Sequence, residues 1–237
     1  MSYNYTQYIA TIANLMPTPV TDPNYQAIIP NMIDDAEQRV YRELDILNTV
    51  VRDSSGSLTA NSRTFNLTSA QGRFVVTNNF NVFTPVNTTT NRNQLVPVTR
   101  DWMDAIWPNE AAPSTPSVPQ YYAMITDQQI IVGPAPDATY TMEIVGTIRP
   151  TPLSASNLTS PLSLYFPDVF IAASMIFIAG WMKNFGQGVD DPQAGVNWES
   201  HYKNLIQSAA TEEARKRYMS NAWTSMQPMP LATPPRA

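Results

Sequence analysis

The sequence predicts an α+β protein in which a helical bundle is interrupted by a β-rich insert and followed by an extended arm. Helical periodicity is confined to residues 1–47 and 162–222, which we assign to one helical bundle domain. Residues 48–161 are rich in Asn, Thr, Ser and Pro and contain short β-type runs, which indicates a β-rich insert domain. Residues 223–237 contain four prolines and one charged side chain, so they cannot form a core alone. This segment is either disordered or an extended C-terminal arm that a partner orders.

The first 47 residues predict two helices. Apolar side chains recur every three or four residues from Tyr5 to Leu15, and the run Met16–Pro19 ends this helix because proline lacks a donor. A second helix is predicted to begin near Pro30, a favoured first-turn residue, with Asp22–Pro23 capping only a short turn before it. Its apolar face consists of Ile29, Ile33, Ala36, Val40, Leu44 and Leu47. Such a face must pack against another element.

The insert contains several candidate strands. They are Arg63–Leu67, Arg73–Val76, Leu95–Val98, Gln120–Ile125, Gln129–Gly133 and Thr139–Ile148. The last two flank a proline-rich turn at Pro134–Ala138 and are predicted to form a hairpin. The segment Asp101–Trp107 predicts a helical turn closed by Pro108, and Thr151–Ser163 predicts a loop.

Two helices are predicted after the insert. Phe166–Asp168 supplies a helix start, and the following 14 residues, Val169–Met182, are almost wholly apolar. A bilayer core needs roughly 20 residues, so we expect a buried helix and no membrane span. The last helix is predicted to run from Pro192–Val196 to about Ala222, with Trp198 and Tyr202 on its apolar side.

Composition argues for burial against other proteins and against catalysis. Charged residues make up 14% of the chain, compared with roughly 25% in an ordinary domain, and burying uncharged polar groups costs less than burying charge. The net charge is −5, which disfavours tight binding to nucleic acid. There is no cysteine, and the one histidine, His201, follows Ser200 on a helix where adjacent positions do not face each other. Asp34, Asp35 and Glu37 are interpreted as a solvated helix face. We therefore predict no enzyme activity, no metal and no cofactor.

The order of several short motifs resembles that of the head-to-tail adaptor proteins of tailed bacteriophages. The motifs are Ile29-Pro30, Ala36-Glu37-x-Arg39, Arg42-Glu43-Leu44, Gly133-Pro134-Ala135-Pro136-Asp137 with Tyr140, Pro152-Leu153-Ser154, Pro167-Asp168 and the helix containing Tyr202. Together they cover roughly residues 28–220. The chain departs from the family in its Asn/Thr-rich segment between about Thr77 and Asn93.

The resemblance implies a structural virion protein that forms a cyclic ring, usually of about twelve copies. The ring would join the portal to the tail tube or nozzle, and genomic DNA would pass through its lumen without specific binding. Assembly would take place in the cytoplasm of the host bacterium. The resemblance also implies that the arm docks on the portal. The residues expected at this contact are Trp223, Met226, Met229 and Leu231, supported by the basic triplet Arg215, Lys216 and Arg217.

Two other classes stay open at the level of sequence. One is a different virion structural protein, such as a tail tube, nozzle or minor capsid subunit. The other is a soluble enzyme or a nucleic-acid binder. Arg73, Phe74, Phe80 and Phe83 supply a weak version of the alternating basic and aromatic pattern of single-strand binders, although aromatic residues in strands are more often core.

Overall fold

The computed structural model describes residues 3–16, 19–67, 69, 71–108, 115–185 and 194–220. Contacts divide the chain into a helical unit, Met1–Leu47 with Leu162–Ala237, and a β-rich unit, Asn48–Pro161. The predicted α+β class is confirmed. That each unit folds as an independent domain, and that the helices form the predicted bundle, stay predictions.

The described residues contain helices of very different length. They are α1 (Tyr5–Leu15), α2 (Pro23–Glu43), α3 (Arg100–Ile106), α4 (Pro161–Tyr165), α5 (Pro167–Phe185) and α6 (Ala194–Ser220). Helix α3 belongs to the β-rich unit. Helix α4 lies partly where the sequence predicted a loop, because Pro161 begins a helical turn that leads directly into α5.

Capping residues fix the beginnings of the first two helices. Asn4 and Gln7 form a reciprocal capping box at α1, with each side chain accepting from the other residue's backbone N–H. Helix α2 begins at Pro23, because the Asp22 carboxylate accepts hydrogen bonds from the backbone N–H groups of Asn24 (2.8 Å) and Tyr25 (3.1 Å). The predicted start near Pro30 was therefore wrong, and Pro30 lies inside the helix.

Tertiary packing explains why α2 continues through a proline and where it ends. The Tyr25 ring is fully buried and its hydroxyl donates to the carbonyl of Ile9 (2.9 Å), which holds the first turns against α1. The helix ends at Glu43, so Leu44 and Leu47, which were predicted on its apolar face, follow it. Asp34 and Asp35 are exposed as predicted, whereas Glu37 is buried, because it lies four residues after Ile33 and three before Val40 on the buried face of the helix.

Helix α5 lies at the centre of the helical unit and contacts α1, α2 and α6. Its Phe170 ring stacks on Tyr8 of α1 at a centroid separation of 4.4 Å, and the Tyr8 hydroxyl is hydrogen-bonded to Ser174. Burial is the main reason that the pKa of Tyr8 is raised well above its ordinary value. Within the described residues, no helix has the length and apolar character needed to span a bilayer.

A polar cluster joins α2 to α6. The Arg39 guanidinium donates to both carboxylate oxygens of Glu199, at 2.8 and 2.7 Å, and also to Glu43 at 3.1 Å. It lies over the ring of the fully buried Tyr202, 4.3 Å from the centroid, and the Tyr202 hydroxyl donates to Glu43 at 2.9 Å. These hydrogen bonds attach the polar side of α2 to α6.

The β-rich unit contains two four-stranded sheets in the described residues. The strands are β1 (Val50–Leu58), β2 (Thr64–Asn66), β3 (Gly72–Thr84), β4 (Asn91–Gln94), β5 (Val96–Pro97), β6 (Tyr121–Thr126), β7 (Gln129–Gly133) and β8 (Tyr140–Pro150). The first sheet has the order β1-β8-β3-β4 and is antiparallel. The second has the order β2-β7-β6-β5, with β5 parallel to β6. One apolar cluster contains buried side chains of both sheets.

Strand pairing differs from the sequence prediction. The predicted hairpin of Gln129–Gly133 with Thr139–Ile148 was wrong, because β7 pairs with β2 and β6 whereas β8 pairs with β1 and β3. The turn at Pro134–Ala138 carries the chain from one sheet to the other. Strand β1, strand β4 and the continuation of β3 to Thr84 were not predicted, since their many Asn, Ser and Thr residues lack an apolar alternation.

Candidate assembly surfaces

The basic triplet, Arg215, Lys216 and Arg217, lies on the last described turns of α6. Its three side chains differ in the ion pairs that they form. Lys216 forms ion pairs with Glu212 (2.8 Å) and Glu213 (2.7 Å). Arg217 forms an ion pair with Asp45 (2.6 Å), which follows α2, and this hydrogen-bonded pair lowers the pKa of the Asp45 carboxyl. Arg215 is exposed and has no hydrogen bond or ion pair within the described chain. Within the described residues, Arg215 is therefore the member of the triplet whose charge has no partner.

These contacts give α6 a fixed attachment to the end of α2. The buried Glu213 carboxylate also accepts a hydrogen bond from the backbone N–H of Leu47 (2.8 Å). The triplet therefore sits on an anchored stretch of helix. Trp223, Met226, Met229 and Leu231, the apolar residues expected at the portal, lie outside the described residues.

A second candidate surface lies on the β-rich unit, where five aromatic and aliphatic side chains adjoin. We call it the aromatic surface, and it consists of Val96, Trp102, Ile106, Trp107 and Tyr121. The Trp102 ring meets Tyr121 edge-on at a centroid separation of 5.1 Å and Trp107 at 5.8 Å. Val96 is paired with Tyr121 across β5 and β6, and Val96 and Ile106 are 51% and 47% exposed. Apolar side chains grouped in this way are typical of an interaction site.

Local structure holds the aromatic surface in place. The Thr99 hydroxyl caps α3 by accepting from the backbone N–H of Trp102 (3.3 Å), and Met103 anchors the inner side of the helix because it is fully buried. Trp107 lies against Gly133 of β7, where a Cβ atom would come within 2.6 Å of its ring. The Arg63 guanidinium donates to the Trp107 carbonyl at 2.6 Å. The contacts of Thr99, Met103, Arg63 and Gly133 therefore hold the two tryptophans of the aromatic surface in position.

The described residues offer no metal centre. No group of three or more His, Cys, Asp or Glu side chains among them could hold a metal ion. His201 lies exposed on α6, with its ring 5.9 Å from that of Trp198.

A comparison with protein-family models matches the SU10 adaptor protein over residues 3–226. The chain belongs to the SU10 adaptor protein family. The protein is therefore a structural adaptor of a bacteriophage and a component of its virion, with portal and tail proteins as its general partners. The family is one of structural phage adaptors rather than of enzymes. No curated protein matches the chain.

Sequence reasoning on this adaptor missed the aromatic surface. The segment Asp101–Trp107 was interpreted only as a helical turn, and the two tryptophans within six residues were the available signal. Their proximity to Tyr121 depends on the pairing of β5 with β6, which a single sequence does not reveal.

Proposed function

We propose that this adaptor is the subunit of a cyclic ring, of twelve copies, that joins the portal to the tail tube or nozzle and continues the DNA channel. Membership of the SU10 adaptor protein family carries the proposal. The low content of charged residues supports it, because a ring subunit buries much of its surface against neighbours. Assembly on the portal would occur in the host cytoplasm.

We propose further that the two units have separate roles, with the helical unit as one domain and the β-rich unit as an inserted domain. In the β-rich unit the aromatic surface would be covered by the neighbouring copy in the ring. Tryptophan and tyrosine are favoured at the centres of protein interfaces, since they bury much area with few rotatable bonds. A closed ring needs such a contact repeated between successive copies.

The portal contact is assigned to residues 223–237 with Arg215 and Arg217 of α6. Trp223, Met226, Met229 and Leu231 are large and apolar, and the four prolines of this segment lower the entropy lost on docking. Arg215 supports the proposal because its charge is unengaged within the described chain, whereas Arg217 would need to exchange or share its ion pair with Asp45. The net charge of −5 suits a lumen through which DNA moves without binding.

Portal capture and ring formation can be tested separately. A chain truncated after Ala222 should remain folded, as judged by circular dichroism, and should lose binding to the portal protein of the same phage in a pull-down assay. Trp102→Ser should still bind the portal, and mass measurement of the complex should find fewer copies per portal. Leu158→Ser is the matched control, because Leu158 is an exposed apolar residue of the same unit outside the aromatic surface.

Two results would contradict these assignments. Portal binding by the truncated chain at wild-type strength would exclude the arm as the portal contact. Full occupancy with Trp102→Ser, equal to that with Leu158→Ser, would exclude the aromatic surface as the contact between copies.

A further inference from the structure

The β-rich unit contains a pocket of about 500 Å³ where β3 begins and β8 ends. Its described lining includes Arg73, Gln128, Arg149, Leu67 and Pro152, and none of the described lining residues is acidic. Two hydrogen bonds fix the walls. The Leu67 N–H donates to the Gln128 carbonyl, and the Gln128 side chain donates to the Phe74 carbonyl, each at 2.9 Å. Hydrogen bonds between strands and loops therefore hold the lining of the pocket in place.

Two arginines lie directly opposite each other at this pocket. Arg73 of β3 is the register partner of Arg149 of β8 in an antiparallel pair, so their side chains leave the same face of the sheet. Like charges in this arrangement destabilise a sheet. Arg73 is ion-paired with Asp127, so within the described residues only the charge of Arg149 is left unbalanced at this pocket.

Arg149 has no counter-ion among the residues that the structure describes. Its Nε atom is buried without a hydrogen-bond partner, and the described chain supplies no hydrogen bond or ion pair to the rest of its guanidinium group. The other arginines of the β-rich unit each have a hydrogen bond or an ion pair; they are Arg52, Arg63, Arg73, Arg92 and Arg100. Removing a charged donor from water without a partner is costly, so an anion in the pocket would offset an existing penalty.

We propose that this pocket binds the carboxylate of an acidic side chain on a partner protein, with Arg149 as the receiving group. The guanidinium fork matches the planar carboxylate and makes two parallel hydrogen bonds to it. Leu67, Pro150 and Pro152 line the same pocket and fit an apolar residue beside the acidic one. Nucleic acid is disfavoured, because phosphate tracking needs several cations and the pocket has one unbalanced charge. The inference is independent of the ring proposal.

The probe is the capped dipeptide acetyl-Leu-Asp-amide, added to the full-length protein labelled with ¹⁵N. The Arg149 Nε–H signal, identified by its absence from Arg149→Gln, should shift in a saturable way with this peptide. The uncharged acetyl-Leu-Asn-amide should leave it unmoved. A short single-stranded oligonucleotide should also leave it unmoved at physiological salt. An unmoved signal with the acidic peptide, or an equal shift with either of the other probes, would overturn the assignment.

A pair of variants separates binding from folding. Arg149→Gln should weaken peptide binding at least about tenfold, the loss expected for a charge-assisted contact. Its melting temperature without peptide should not fall, since the substitution removes a like-charge pair. Arg100→Gln is the matched control, an exposed arginine of the same unit that should bind the peptide as the wild type does. Undiminished binding by Arg149→Gln would show that another group receives the carboxylate.

Discussion

Replacing Tyr202 by phenylalanine isolates one hydrogen bond of the cluster that joins α2 to α6. The ring of Tyr202 is fully buried, and its hydroxyl donates to the Glu43 carboxylate at 2.9 Å. Burial and the neighbouring Glu43 raise the pKa of Tyr202, so the hydroxyl is a donor at all ordinary pH values. Phenylalanine keeps the ring beneath the Arg39 guanidinium and removes only the donor.

The expected loss of stability is about 1.5 kcal/mol. Hydrogen bonds to charged groups contribute roughly 1.5–3 kcal/mol. The lower end applies, because the Glu43 side chain is 42% exposed and keeps its ion pair with Arg39, so water replaces part of the lost contact. At about 2–4 °C per kcal/mol for a chain of this size, the melting temperature should fall by roughly 3–6 °C.

The measurement is urea and thermal unfolding of Tyr202→Phe followed by far-UV circular dichroism, which reports mainly on the helices. Tyr165→Phe is the control, because Tyr165 is an exposed tyrosine of the same unit, and its stability should stay within about 0.5 kcal/mol of wild type. A double-mutant cycle with Glu43→Gln should give a coupling free energy of about 1 kcal/mol. If Tyr202→Phe is as stable as Tyr165→Phe, or if the coupling is zero, the hydrogen bond does not stabilise the fold.

Two further predictions concern charge and packing. Hydrogen bonds from Arg39 lower the pKa of Glu199, so their contribution is present above the ordinary glutamate pKa of about 4.3 and is lost as pH falls below it. Arg39→Gln should therefore be less stable than wild type by about 1 kcal/mol at neutral pH, and acid titration of unfolding should show the difference shrinking progressively as pH falls from about 4.3 through the lowered pKa of Glu199; a constant difference would contradict it. Gly133→Ala places a Cβ atom 2.6 Å from the Trp107 ring and should cost about 1–3 kcal/mol with a change in tryptophan fluorescence. Gly180→Ala, with open space at its Cβ, should instead stabilise α5 by about 0.5–1 kcal/mol, and equal effects of the two substitutions would refute the packing argument.

The sequence by itself determined the features that depend on neighbours along the chain. Residues spaced three or four apart already define α1, because the packing face of a helix is set within each turn. The helix start at Pro167 and the continuous apolar run after it define α5. The order of short motifs likewise indicated the adaptor family, which the match over residues 3–226 confirms. The low content of charged residues also indicated assembly with other proteins, because burying uncharged polar groups costs less than burying charge.

Tertiary structure alone decided which strands pair and which helix continues through a proline. Strands β7 and β8 are separated by one turn and still belong to different sheets, because each finds its partners among distant segments. Helix α2 includes Pro30 because buried contacts of Tyr25 outweigh the missing backbone hydrogen bond. The placement of Arg149 directly opposite Arg73 also arises from a cross-strand register. Local propensity describes single elements, whereas register and burial are properties of contacts between residues far apart in sequence.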